Sequence, residues 1–84
     1  MGLKMEFFRV VNLGTLRIEV SIVENAGYRV YFTAKDMDGR RLWRTALTNA
    51  GGDIRLYNSL SDAIRDAEAT IEHSNDKTAL ARSR

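Results

Sequence analysis

Residues 15–35 read TLRIEVSIVENAGYRVYFTAK, two alternating segments joined by a short polar loop. Leu16, Ile18, Val20 and Ile22 alternate with Arg17, Glu19 and Ser21, a period of two that makes a half-buried strand. Tyr28, Val30, Phe32 and Ala34 repeat the pattern. Asn25-Ala26-Gly27 lies between, and Gly27 can take the positive φ that ends a three-residue hairpin loop. With Glu24 opposite Tyr28, Ile22 faces Val30, Val20 faces Phe32 and Ile18 faces Ala34. All six then stand on one face, and a one-residue slip would send half of them to solvent.

Toward the C-terminus, Asp38-Gly39 is a type I′ hairpin signal. As a two-residue loop it sets Ala34 against Trp43, Phe32 against Thr45 and Val30 against Leu47. Toward the N-terminus, residues 6–11 form a first strand, and Asn12-Leu13-Gly14 repeats the Asn-x-Gly form of the second loop. That analogy sets Val10 opposite Leu16 and Phe8 opposite Ile18, with Phe7, Arg9 and Val11 on the other side. Residues 48–53, with Gly51-Gly52, form a loop, and residues 54–57 are either a short fifth strand or extended chain. Ser59 caps a helix, with Asp62 completing a capping-box-like pair. Leu60, Ala63, Ile64, Ala67 and Ile71 make one apolar stripe along it.

The expected fold is α+β: an antiparallel β-meander of three to five strands packed on one C-terminal amphipathic helix. At 84 residues there is room for one domain, assigned to residues 1–74, with residues 75–84 a frayed basic tail. The absence of cysteine excludes disulfide staples and thiolate metal sites. No apolar run is long enough for a membrane span or a secretory signal, so a cytoplasmic protein without a membrane partner is expected. The net charge of +2 is modest, but it is unevenly spread. Residues 1–58 carry nine Lys or Arg against six acids, whereas residues 59–74 carry Arg65 against Asp62, Asp66, Glu68 and Glu72. The sheet is basic and the helix acidic.

Function, where legible, belongs to the face of the meander turned from the helix. It carries Arg17, Glu19 and Ser21, then Arg29, Tyr31, Thr33 and Lys35, then Leu42, Arg44 and Ala46. Arg17 opposite Lys35 is a like-charge pair that a partner would relieve. Basic side chains around an aromatic suit single-stranded nucleic acid, with Arg17, Arg29, Lys35 and Arg44 for phosphates and Tyr31 for stacking. A solvated face would carry such charges as well. Phe7, Val11, Leu42 and Ala46 make the same face apolar enough for a protein interface, with a second copy or another protein as partner. No enzyme is expected. His73 lacks a positioned partner in sequence, turn chemistry accounts for Asp36 and Asp38, and Gly51-Gly52-Asp53 lacks the lysine of a phosphate loop. No cofactor or metal is expected.

The run Ser59-Leu60-Ser61-Asp62-Ala63-Ile64, continuing to Ala67 and Ile71, resembles the helix that closes HicB-type antitoxin domains, which also place it after a small meander. The proline-bearing segment of that family has no counterpart in this proline-free chain. Four strands followed by a helix is also similar in order to the Whirly single-strand DNA-binding proteins. Topology of this kind is shared by many functions and assigns none.

Overall fold

A computed structural model describes residues 4–77. Four antiparallel strands, β1 (Lys4–Leu13), β2 (Leu16–Glu24), β3 (Tyr28–Lys35) and β4 (Arg41–Ala46), form one sheet in chain order, followed by α1 (Leu60–Lys77). The fold is the expected α+β meander with one helix against it.

The β2–β3 hairpin has the register its alternation demands: Glu24 faces Tyr28, Ile22 faces Val30, Val20 faces Phe32 and Ile18 faces Ala34. Five of those core side chains (Ile18, Val20, Ile22, Val30 and Ala34) are at most 1% exposed. Each fully buried isoleucine or valine contributes about 1.5–3 kcal/mol, so this hairpin anchors the core. Its loop has two residues at positive φ, Gly27 at 123° and Ala26 at 57°. The alanine is in a conformation that costs an L-residue about 1–2 kcal/mol.

The β3–β4 pairing places Ala34 opposite Trp43 and Phe32 opposite Thr45, and the Leu47 N–H continues it to the Val30 carbonyl at 2.9 Å. Trp43 and Leu47 pack against the core. The connecting loop differs from a two-residue type I′ turn. It spans residues 36–40, Lys35 pairs with Arg41, and a register shift lies between Ala34 and Lys35. The Gly39 N–H donates to the Asp36 carbonyl, and Asp36 Oδ1 accepts from the Asp38 and Arg40 N–H groups at 2.9 Å each. Asp36 organises the turn with its side chain, and the positive φ falls on Gly39.

The largest correction concerns β1. Leu13, not Val10, faces Leu16, and Val11 faces Ile18. The loop is the two-residue Gly14-Thr15, with Gly14 at φ 63°, the pattern of a type II′ hairpin. The register is therefore three residues from the Asn-x-Gly analogy, and an odd shift exchanges the two faces. Leu13 is buried and Phe7 and Val11 pack on the core, whereas Phe8 and Val10 stand on the opposite face. A bulge at Glu6 then flips the parity once more, so Met5 faces Val23 and joins Phe8 and Val10 on the open side.

Residues 54–57 form no strand. Residues 48–56 make an excursion from the edge of the sheet, held by a Thr48–Ile54 bridge and by an Asn49 N–H to Asp53 carbonyl bond. Tyr57 then returns beside Tyr28, where the two residues exchange both backbone hydrogen bonds at 2.9 Å. The helix follows with Ser59 as cap: Ser59 Oγ accepts from the Asp62 N–H at 3.2 Å. The Asp62 carboxylate takes Arg65 at 2.7 Å rather than completing a reciprocal box. Ala63, Ala67 and Ile71 are buried, with Leu60 and Ile64 half-buried beside them, as the stripe requires. The helix runs through Lys77, beyond the domain boundary at 74; the rest of the proposed tail lies outside the described residues. No helix among the described residues is long and apolar enough to cross a membrane.

Candidate binding face

With α1 on one side, the sheet's other side is open, and the registers array its side chains in rows across the strands. Asn12, Arg17, Lys35 and Arg41 form the row at the end bearing the Gly14 loop. Next come Val10, Glu19, Thr33 and Arg44, then Phe8, Ser21, Tyr31 and Ala46, and last Met5, Val23 and Arg29. Each row is about 7 Å from the next, two residues along a strand.

A trough of about 440 Å³ crosses the middle of this face. Met5 and Phe8 of β1 line one side, 58% and 52% exposed. Arg41 and Arg44 of β4, with Gly39, line the other. Glu19, Ser21, Thr33 and Lys35 form the floor. Lys35 Nζ lies 3.0 Å from Glu19 Oε2, so a diagonal ion pair relieves the repulsion that Arg17 opposite Lys35 implied. Arg17, Arg29, Arg41 and Arg44 have no ion pair among the described residues. By contrast, Arg9 and Arg55 are drawn to the helix side, to Glu68 and Asp66, each at 3.2 Å. Among the described residues the open face is left with five cations (Arg17, Arg29, Lys35, Arg41, Arg44) against Glu19.

The residues expected in a nucleic-acid site are thus only partly assembled. Lys35 and Arg44 line the trough. Arg17 borders a separate depression of about 370 Å³ between the Gly14 loop and the Asp36 turn, and Arg29 lies beyond the aromatic row. Tyr31 is not an open platform: the Arg44 guanidinium sits 4.6 Å from its ring centroid. Of the residues expected at a protein interface, Phe7 and Val11 belong to the core side for the register reason given above. Leu42 falls at the β4 register shift and is exposed, and Ala46 is half-buried opposite Tyr31. Phe8 and Met5 were missed. The signal for Phe8 was Gly14 itself, which closes a two-residue loop as readily as a three-residue one; Met5 reaches the open side only through the bulge at Glu6, which the sequence does not mark.

A second cluster lies between the excursion and the helix. Tyr57 Oη donates to Asp66 Oδ2 at 2.8 Å, Arg55 donates to the same oxygen at 3.2 Å, and Arg55 Nε donates to Asn49 Oδ1 at 3.0 Å. Burial pushes the Tyr57 phenol above its ordinary pKa; Arg55 opposes this and the bond to Asp66 adds to it. Tyr57 and Asp66 in turn raise Arg55. Leu47, Ala69, Thr70 and the exposed His73 complete a shallow cleft here. The polar groups of this cluster satisfy one another, which is the arrangement of a latch.

Among the described residues no group of three or more His, Asp or Glu side chains could hold a metal ion. No protein-family model, no curated protein and no solved structure matches this chain.

Proposed function

We propose that this chain is a non-enzymatic binding module whose open sheet face takes nucleic acid. The observation that carries the reading is the trough itself, with an exposed aromatic on one wall and two unpaired guanidiniums on the other. Phosphates are drawn to arginine, and unpaired bases stack on exposed rings. The opposite charge of the helix side favours approach by the open face. Binding of labelled oligonucleotides, followed by anisotropy at low and near-physiological salt, tests it. Affinity must fall steeply with salt, and an absence of binding at low salt would end the proposal.

The exposure of Met5, Phe8 and Val10 along the edge strand β1 favours a second reading, a homodimer in which two copies bury this stripe. Sizing of the wild type and of Phe8→Asp decides it. A wild-type monomer rules the dimer out.

A further inference from the structure

The two walls of the trough differ in chemistry, and that difference gives a bound strand an orientation. We infer, on the basis of the nucleic-acid reading above, that the face selects single strands and seats them with phosphates along β4 and unpaired bases toward β1. Arg41 and Arg44 stand on β4, and neither has a carboxylate partner among the described residues. Tyr31 holds Arg44 against its ring at 4.6 Å, which restricts the guanidinium before any ligand arrives. The β1 wall offers Met5 and Phe8, more than half exposed and without charge. Glu19 stands on β2, next to β1, and its carboxylate holds Lys35 at 3.0 Å, so that side offers a phosphate no unpaired cation. The reverse placement would set phosphates against Phe8 and Glu19 and bases against two guanidiniums with no anion to neutralise them. A duplex keeps its bases stacked inside, so the Phe8 ring could meet none of them.

The test separates the walls by their salt dependence. Removing one arginine–phosphate pairing should lower the slope of log affinity against log salt by about 0.7 on a single strand. Arg41→Gln and Arg44→Gln should each do this. Phe8→Ala should weaken single-strand binding roughly tenfold or more and leave the slope unchanged, because stacking releases no counterions. Phe8→Leu preserves apolar bulk on the strand and should weaken binding as well, which excludes misfolding as the cause. An abasic oligodeoxynucleotide should bind wild type and Phe8→Ala equally and still respond to Arg44→Gln. Tyr31→Thr, which frees Arg44 but keeps its charge, should weaken binding with the slope unchanged, and Tyr31→Phe should alter neither. If the wild type binds neither single strand nor duplex at low salt, the parent reading fails; if it binds duplex alone, the single-strand seating fails and the parent reading stands. If it binds single strand but Phe8→Ala matches it on a normal strand, or duplex binds as tightly as single strand, the orientation is overturned while the parent reading stands.

Discussion

Replacing Tyr57 by phenylalanine removes a single hydroxyl from a ring that is 8% exposed. That hydroxyl donates to Asp66 Oδ2 at 2.8 Å and ties the end of the excursion to the helix. A hydrogen bond to a charged acceptor contributes about 1.5–3 kcal/mol. Here the Asp66 side chain is 39% exposed and keeps Arg55 after the change, so the loss belongs at or below the low end, about 1–1.5 kcal/mol. In a domain of this size that lowers the melting temperature by roughly 4–12 °C. Urea unfolding of wild type, Tyr57→Phe, Asp66→Ala and the double variant isolates the pair; a coupling below about 0.3 kcal/mol would refute the latch. The same phenol sets an alkaline limit. Its folded pKa is raised, so above about pH 10 the unfolded chain holds fewer protons at Tyr57 than the folded one. Stability from this group is whole below that pH and is lost as pH climbs toward the folded value. Tyr57→Phe must lack this component, and parallel alkaline losses in the two proteins would contradict the assignment.

The face assignment of β1 predicts opposite responses from neighbouring valines: Val11→Ala should cost about 1–2 kcal/mol in urea unfolding, and Val10→Ala, 43% exposed, less than about 0.5. Ala26→Gly should raise the melting temperature, because relief of the 57° φ outweighs the added freedom of the unfolded chain by about 0.5–1 kcal/mol. Ser59→Ala should cost about 0.5–1 kcal/mol through the cap on the Asp62 N–H, measured in the same way.

The parts of the fold that sequence made legible are those where one face alone is apolar. In residues 16–22 and 28–34 the alternation is strict, so parity and register follow together. The helical stripe of Ala63, Ala67 and Ile71 is equally unambiguous. β1 has apolar side chains on both faces, Phe7 and Val11 on one and Phe8 and Val10 on the other. Its pattern therefore carried no parity, and the choice fell to the loop, where two turn chemistries fit the same glycine. The bulge at Glu6 has no sequence mark at all. The candidate site inherited this division. Lys35 and Arg44 lie on strands whose register was fixed and reached the trough as expected, whereas its β1 wall came from the strand that was not. The stacking of Arg44 on Tyr31 depends on a diagonal approach between strands that one-dimensional spacing does not encode.

Tyr28 and Tyr57 close the base of residues 48–56 like a buckle, through two main-chain bonds that depend on neither intervening side chains nor loop length. The tip around Gly51 and Gly52 is exposed and makes no approach that an added Cβ would obstruct. Extra residues grafted there add only about 0.6 kcal/mol of closure entropy for each doubling of length. The strap can therefore carry a reporter or an affinity handle at the margin of the sheet, clear of the trough and of the Asp66 anchor.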